Sequence, residues 1–286
     1  MTVAFIVLAH RDPEQVARLA IRLAPHYVFL HVDAKTSDEN YIKFVSLLQD
    51  YSHVRFLKRH RTGWASWGLV AAALEGLNVA LQFVDWSHVM LLSGQDYPLL
   101  SSTSIDEFLN RYLNNSFVAN WPLPSSLWGA DGGLSRVRYW HFPFKGKRLF
   151  IPIARKHPKN YFPVGGSMYW CLNRALANEV VSISQKRTDV VNFYKHVWIP
   201  DELFIPTVVM NSKFKQSVIN EGLTYIRWST PGSPHPDELT AKDASELLKA
   251  GKEGSNVGGQ ARQKLFARKI NSNNESRLLD MLDQNQ

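Results

Sequence analysis

The chain has 286 residues, 45% of them hydrophobic, and it carries a formal net charge of +8 and a single cysteine. That length suits one large domain or two small ones, and the apolar fraction is sufficient to fill an ordinary core. One cysteine excludes an internal disulfide and no apolar run approaches the roughly 20 residues of a membrane span, which predicts a soluble cytoplasmic protein that touches a membrane at most at its surface.

The amino-terminal segment predicts a buried strand followed by a helix. Residues 3–9 form a short apolar run rich in β-branched side chains, as is typical of a strand covered on both faces. Asp12 is expected to cap the next helix, with Pro13 in its first turn and Gln15 at a capping-box spacing. The helix is expected to end near residue 24.

Further strands and a helix follow in the first hundred residues. Residues 27–33, 53–57 and 88–94 read as strands, and residues 67–83 read as a helix. This alternation favours an α/β architecture of the nucleotide-binding kind, in which ligands bind at the carboxyl ends of the strands.

The second half of the chain is less regular. Residues 116–165 are rich in Pro, Gly, Trp and basic residues without a sustained period, which predicts long loops over a site. A strand is expected to run into a helix near residue 173, and an apolar helix is expected to follow Glu202 as far as about residue 211. The last dozen residues read as a terminal helix.

Two adjacent carboxylates, Asp201 and Glu202, follow Pro200 in a run that is otherwise almost wholly apolar. Acidic residues after a proline commonly lie in the first turn of a helix, where they complement the exposed N–H groups and the helix dipole. A partly desolvated carboxylate could instead serve as a general base. The residues alone leave both interpretations open.

Acidic residues also follow two predicted strands. Asp33 ends the second strand, and Asp96 lies in the "SGQDYP" segment that follows the fourth. An acid at the carboxyl end of a buried strand can accept hydrogen bonds from a nucleoside. It can equally cap the turn that follows, and the sequence favours neither role for Asp33.

No cluster of His, Cys, Asp and Glu shows the spacing of a metal site, and no D-x-D motif follows the fourth strand. A diphosphate bound without a metal requires cationic side chains, and Arg268 and Lys269 offer an adjacent pair flanked by apolar residues. The alternative for this pair is a solvated face.

The excess of basic residues does not predict a nucleic-acid partner, because the clusters at residues 58–61, 145–148, 154–156 and 265–269 form no recognised nucleic-acid motif. Small anionic ligands such as nucleotide diphosphates, or an anionic membrane surface, explain the charge equally well.

Six stretches, taken together and in order, resemble glycosyltransferase family 14, the core-2 and I-branching β-1,6-N-acetylglucosaminyltransferases and peptide O-xylosyltransferases. They span nearly the whole chain, although residues 116–160 have no match. The stretches are "FLHVDAK" (29–35), "GWASWGLVAAAL" (63–74), "LLSGQDYPLLS" (91–101), "GGSMYWCLNR" (165–174), "WIPDELFIPTVVMNS" (198–212) and "KLFARKI" (264–270).

The resemblance implies a single GT-A type domain with a mixed sheet, divided into a Rossmann-like nucleotide-binding half (1–115) and an acceptor-binding and catalytic half (116–286). It implies inverting transfer from a UDP-sugar without a metal ion or other cofactor, with Glu202 of a P-x-E motif as the base. The residues expected to bind the nucleotide sugar are Leu8, Asp33, Ser66, Trp67, Asp96, Ser233, Arg268 and Lys269; those expected to contact the acceptor are Trp170 and Trp228.

The chain departs from the members of this family that pass through the Golgi, which carry a membrane anchor and several disulfides. The departure favours a polysaccharide or lipid-linked glycan acceptor in the cytoplasm, with contact at the inner face of an anionic membrane. The expected donor is UDP-N-acetylglucosamine or UDP-xylose, with the former preferred. In "GGSMYW", Met168 stands where some relatives carry an acid, so contacts to the sugars are expected to differ.

Two rival classes of function are weighed against this one. The first is a metal-dependent UDP-sugar transferase that uses Asp96. The second is a non-catalytic carbohydrate-binding protein of the same fold, although a protein that only binds has no use for a base and a leaving-group clamp together.

Overall fold

The computed structural model describes residues 2–144, 147–230, 233, 235–253 and 263–285. Its strands are β1 (Thr2–Ala9), β2 (Tyr27–Val32), β3 (Val54–Phe56), β4 (Trp86–Ser93), β5 (Tyr97–Pro98), β6 (Ser116–Phe117), β7 (Asn120–Pro122), β8 (Trp140–Phe144), β9 (Lys147–Ile151), β10 (Val164–Gly166), β11 (Cys171–Asn173), β12 (Val218–Ile219), β13 (Thr224–Ile226) and β14 (Phe266–Arg268). Its helices are α1 (Pro13–Arg22), α2 (Asp38–Leu48), α3 (Trp67–Ala80), α4 (Ser102–Asn110), α5 (Leu134–Arg138), α6 (Arg174–Lys186), α7 (Thr188–Tyr194), α8 (Phe204–Met210), α9 (Ala244–Glu253) and α10 (Ser272–Gln284).

A seven-stranded mixed sheet forms the centre of the fold, in the order β12-β6-β11-β4-β1-β2-β3. Strands β1, β2, β3 and β4 run parallel, whereas β11 is antiparallel to both β4 and β6. The α/β fold with a mixed sheet that the sequence predicts is confirmed. Strand order reverses between β1 and β4, which is where sheets of this type open a crevice at the carboxyl ends of their strands.

The two faces of the sheet are both buried because alternate side chains of β1 enter two different cores. Val3, Phe5 and Val7 pack with helices α1, α2, α4, α9 and α10. The intervening residues of β1 pack on the other face with α3, α6, α7 and α8. This double burial explains why β1 reads as a continuous apolar run instead of an alternating one.

Strands from both halves of the chain build the central sheet, since β6, β11 and β12 all follow residue 115. The boundary at residue 115 between the two halves of the sequence therefore does not separate two sheets.

A smaller sheet with the order β13-β14-β5 carries the basic pair of the carboxyl-terminal segment. Within the described part of the chain, no helix is both long enough and apolar enough to cross a membrane.

Three predictions about local structure are wrong. Helix α2 was not expected, because only Phe44 and Leu48 of its residues are buried and its apolar period is correspondingly weak. Asp12 has a left-handed backbone and makes no capping hydrogen bond to α1. Residues 116–165 contain short strands, helix α5 and the antiparallel hairpin β8–β9 in addition to loops.

Candidate active site

Asp33 lies in the crevice directly after β2, and its carboxylate is held by the loop that precedes α3. Oδ2 accepts a hydrogen bond from Thr62 Oγ1 at 2.5 Å, while Oδ1 accepts from the backbone N–H groups of Lys35 at 2.8 Å and Thr62 at 3.3 Å. Burial alone would raise the pKa of Asp33, but these hydrogen bonds outweigh it and lower the pKa below its ordinary value. Asp33 thus makes the turn-capping contacts, and its role toward a nucleoside stays a prediction.

The Trp-rich loop at residues 63–67 brings aromatic rings against the segment that contains the paired carboxylates. Trp64 meets Trp198 edge to face at a centroid distance of 5.2 Å, and Trp67 meets Phe204 in the same way at 5.1 Å. Ser66 precedes α3 and donates a hydrogen bond to the backbone oxygen of Gly63 instead of capping the helix. The loop therefore places Ser66 and Trp67 on the side of the site that holds Glu202.

Asp201 and Glu202 lie in a single 3₁₀ turn, Pro200–Glu202, that leads into α8. Ile199, immediately before the turn, has a left-handed backbone with φ of 58°, a conformation that β-branched residues rarely adopt. Strain of this kind is retained where the surrounding structure fixes a functional segment. Both acids lie in the first turn, as the capping alternative expects, although the residue at the cap itself is the apolar Ile199.

Glu202 is held by an arginine that the sequence analysis did not single out. Its Oε2 accepts a hydrogen bond from Arg136 Nη1 at 3.0 Å, and the Arg136 guanidinium lies 3.9 Å from the centroid of the Trp128 ring. Burial raises the pKa of Glu202, and the charge of Arg136 opposes that shift. The side chain remains 36% exposed, so its carboxylate is partly desolvated and still reachable.

Asp201, in the same turn, also has a raised pKa. Burial, with the neighbouring charge of Glu202, raises its pKa to about 7. Its Oδ1 atom is buried and has no hydrogen-bond partner among the described residues. A buried carboxyl of this kind holds a proton more readily than Glu202 does, so Glu202 is the better candidate for a proton acceptor near neutral pH.

Asp201→Asn is expected to stabilise the protein more at pH 8 than at pH 5. The pKa of about 7 in the folded protein lies above the ordinary value for an aspartate, so the folded protein binds this proton more tightly than the unfolded chain does. The free energy of unfolding therefore falls as pH rises through that interval, and asparagine removes the fall because it does not ionise. Melting temperatures measured from pH 4 to pH 8 test this, with Asp50→Asn at an exposed position as the control. Parallel curves for wild type and Asp201→Asn contradict it.

Arg268 lies at the opposite side of the crevice, at the end of β14. Its guanidinium donates a hydrogen bond to Ser93 Oγ, lies 3.6 Å from Asp96 Oδ2, and stacks 4.6 Å from the centroid of the Tyr169 ring. Asp96 is fully buried, and this burial raises its pKa while the charge of Arg268 opposes the shift. The structure thus pairs Asp96 with a side-chain cation.

The Gln15 side chain joins the end of β4 to the segment that follows Arg268. Its side-chain amide donates to the backbone oxygens of Gly94 at 2.9 Å and Ile270 at 3.1 Å, and its oxygen accepts from the N–H of Ser272 at 2.7 Å. The sequence assigned Gln15 to a capping box, and that assignment is corrected here. Its buried amide instead holds the segment after β4 against the segment after β14.

The other predicted donor-binding residues lie around the same edge. Lys269 Nζ is 3.3 Å from Glu238 Oε1, an exposed partner that a ligand can displace. Ser233 Oγ donates a hydrogen bond to the backbone oxygen of His235, while residues 231, 232 and 234 lie outside the described residues. Leu8 is buried at the end of β1, where its backbone oxygen accepts from Gly94 N at 3.0 Å.

The predicted acceptor contact of Trp170 is corrected, because its ring is 1% exposed and belongs to the core. Successive side chains of an extended segment point to opposite sides, so Trp170 enters the core and Tyr169 faces Arg268. Trp228 is exposed, and its contact with an acceptor stays a prediction. Among the described residues, no group of three or more His, Cys, Asp and Glu side chains is placed to hold a metal ion.

Arg136 and Tyr169 are the site residues that sequence reasoning missed. Arg136 lies in a segment without periodicity, and an isolated arginine there gives no signal of its contact with Glu202. A cavity of about 610 Å³ opens beside it, lined by residues 124–126, 129–132, 134–135 and 138–139. Its polar lining includes Ser135 and Asp131, which are suitable hydrogen-bonding partners for a sugar.

Comparison with known proteins identifies a family that the chain matches. The protein-family model described as "Branch: Core-2/I-Branching enzyme" matches residues 3–248 of this chain. Human xylosyltransferase 1 is 26% identical over 234 residues, covering 79% of this chain and 24% of its own length. The xylosyltransferase of Ciona intestinalis is 24% identical over 233 residues, covering 79% and 27%.

This chain therefore spans about a quarter of the length of the xylosyltransferases that it matches. Among solved structures, apo mouse xyloside xylosyltransferase 1 aligns over 93% of this chain and 97% of its own, with 10% identity. The TM-score of that alignment is 0.40, a value too low to establish a shared fold by itself.

Proposed function

This chain belongs to the Core-2/I-branching enzyme family, and on that premise we propose that it transfers a sugar from a UDP-sugar to a hydroxyl group of a glycan. The proposed transfer inverts the anomeric centre and uses side-chain cations in place of a metal ion. The proposed acceptor is a polysaccharide or a lipid-linked glycan. The donor sugar is N-acetylglucosamine or xylose, and the name of the matched xylosyltransferases makes UDP-xylose the first donor to test.

Glu202 is the proposed general base. It accepts the proton of the acceptor hydroxyl as that oxygen attacks the anomeric carbon and the bond to UDP breaks. Partial burial raises its pKa toward that of a useful base, while Arg136 at 3.0 Å fixes the carboxylate. The cavity beside Arg136 is the proposed site of the acceptor, with exposed Trp64 as a surface on which a sugar ring can stack.

Arg268 and Lys269 are the proposed partners of the departing diphosphate. UDP gains negative charge as the glycosidic bond breaks, and fixed cations stabilise that charge most effectively in a desolvated site. Arg268 lies against buried Asp96, which favours a side-chain cation over the rival mechanism in which Asp96 binds a metal. Activity that is lost in excess chelator and restored by Mn²⁺ would support the rival.

The observation that carries this proposal is the contact of Arg268 with Tyr169, a residue whose pKa is also influenced by the charge of Asp201. Arg268 stacks on its ring, and the charge of Asp201 acts on its hydroxyl group. Burial is the main reason that the pKa of Tyr169 is raised, with Arg268 opposing and the two acids Asp96 and Asp201 adding to the shift. These interactions support a single site formed by the turn that carries Glu202 and by the cationic pair, which are 66 residues apart in sequence from Glu202 to Arg268.

A donor screen tests the proposal. A ligand that binds only the folded protein stabilises it by about 2.7 kcal/mol when its concentration is 100 times Kd. Melting temperatures are measured with UDP-xylose, UDP-N-acetylglucosamine, UDP-glucose and GDP-mannose, and release of UDP is measured with the donors that bind. Stabilisation by no UDP-sugar contradicts the donor class, whereas stabilisation without transfer to any glycan supports the non-catalytic alternative.

Asp33→Asn is expected to weaken UDP binding without abolishing transfer at saturating donor. A hydrogen bond to a charged group contributes about 1.5–3 kcal/mol, so the Kd for UDP should rise by roughly 10- to 100-fold. Calorimetry measures this, and Thr62→Val is the matched control because it removes the strongest contact of Asp33 and leaves the carboxylate. Unchanged UDP affinity in Asp33→Asn would reduce Asp33 to a turn cap.

A further inference from the structure

The positive charge of this protein is concentrated in one segment. Residues 132–178 contain nine of the 33 Lys and Arg residues and none of the 25 Asp and Glu residues. The rest of the chain therefore carries 24 cations against 25 acids and is close to neutral. An excess of one sign over a single region produces a local field that attracts anionic partners, in a way that the same charge spread over the surface would not.

The same segment exposes apolar side chains. Leu149 and Ile151 lie on the same side of β9, since side chains alternate along a strand, and together with the following Ile153 they are between 44% and 64% exposed. Lys156 and Lys159 follow and are exposed as well. We call these five residues the hairpin face. Several large apolar side chains adjacent to cations are unusual on a surface that contacts only water, and they are typical of a surface that meets a bilayer.

The hairpin is rigidly joined to the segment that carries the catalytic turn. The N–H of His141 in β8 donates to the backbone oxygen of His196 at 2.9 Å, and the N–H of Trp198 donates to that of Arg136 at 2.9 Å. Arg155, between Ile153 and Lys156, points inward and donates to the oxygens of Phe193 and His196. A partner bound at the hairpin face is therefore held close to Glu202.

We propose that the hairpin face docks this protein on the surface of a bilayer that contains anionic lipid. The lysines are attracted to the lipid headgroups, and the aliphatic side chains enter the boundary between headgroups and acyl chains. A soluble anion would account for the cations and leave the apolar side chains unexplained. Docking at the anionic cytoplasmic leaflet brings Glu202 toward acceptors that are anchored in the membrane.

Vesicle co-sedimentation tests this proposal. The full chain is mixed with vesicles of phosphatidylcholine alone or with 30% phosphatidylglycerol, at 0.1 M and 0.5 M NaCl. We expect binding to the anionic vesicles at least tenfold tighter than to the neutral ones, and weakened by the higher salt. Equal affinity for both vesicle types overturns the proposal.

Two double variants locate the surface. Lys156→Glu with Lys159→Glu, and Leu149→Ser with Ile153→Ser, are each expected to reduce affinity for anionic vesicles by about tenfold or more. The matched controls are Lys242→Glu with Lys249→Glu, and Ile42→Ser with Val84→Ser, which change the same residue types at exposed positions elsewhere. Melting temperatures of all four confirm that each is folded.

The outcomes separate the hairpin face from overall charge. Loss in the hairpin variants with binding retained in the controls supports the proposal. Equal loss in the Lys242 and Lys249 variant shows that net charge alone drives binding and overturns it. Binding to soluble dextran sulfate with no binding to vesicles also overturns it, and identifies an acidic polymer as the partner instead.

Discussion

Glu202→Gln is expected to lower the rate of sugar transfer by about 10² to 10⁴ while UDP binding is retained, because it removes a general base and keeps its shape. Glutamine still accepts the hydrogen bond from Arg136 through its side-chain oxygen, so the turn should keep its geometry. It cannot take up the proton of the acceptor hydroxyl at neutral pH. The rate is measured as UDP release with donor and acceptor both saturating.

Asp201→Asn is the matched control for this experiment, since it changes the neighbouring acid in the same 3₁₀ turn. Burial raises the pKa of Asp201 to about 7, so the uncharged amide is close in shape and charge to the protonated form of this group. A loss in Asp201→Asn as large as in Glu202→Gln would mean that the two acids act as one unit. Near-normal transfer in Glu202→Gln would refute the assignment of the base.

Lys269→Ala is expected to lower the rate of transfer by roughly 10² to 10³, and wild-type activity is expected to survive excess chelator. Loss of one positioned electrostatic partner of the transition state costs about 3 to 4 kcal/mol. Lys269 is better suited to this test than Arg268, since removal of Arg268 leaves Asp96 buried opposite no charge and threatens folding. Lys269 Nζ contacts the exposed Glu238, and removal of this surface ion pair should change the free energy of unfolding only slightly.

Glu238→Gln provides the control, because it frees Lys269 from its resting partner and leaves the cation in place. We expect its rate of transfer to stay within a few-fold of wild type. The result that would refute the proposed role of Lys269 is a wild-type enzyme that is inactive in chelator and revived by Mn²⁺, together with a Lys269→Ala variant that remains active.

The sequence predicted the central elements well because their signals are local. Strand β1 and helix α3 are continuous apolar or strongly periodic segments, and their burial on both faces of one sheet leaves few alternatives. Helix α2 was missed because its exposed surface dominates its composition, and the hairpin β8–β9 was missed because it packs at the periphery, where no periodic pattern is imposed.

The site could be predicted only where a motif carries it. Glu202 and Arg268 belong to recognisable stretches, whereas Arg136 is joined to Glu202 by tertiary packing across 66 residues. The resemblance implied an acceptor contact for Trp170, yet a shift of one residue along the chain, from Trp170 to Tyr169, exchanges a core position for a position beside Arg268. The contact between Arg136 and Glu202 depends on the three-dimensional fold, so the spacing of residues in the sequence does not reveal it.

The three hydrogen bonds of Gln15 have a consequence for the order in which this protein becomes active during synthesis. The Gln15 amide donates a hydrogen bond to the backbone oxygen of Ile270, which lies 255 residues further along the chain. Chains emerge from the ribosome amino end first, so the parallel strands are complete long before Arg268 and Lys269 exist. A nascent chain can therefore fold around its first sheet and still lack the two side chains proposed to bind a diphosphate. The proposed activity has to wait until residues 266–272 have been made and have packed against Gln15.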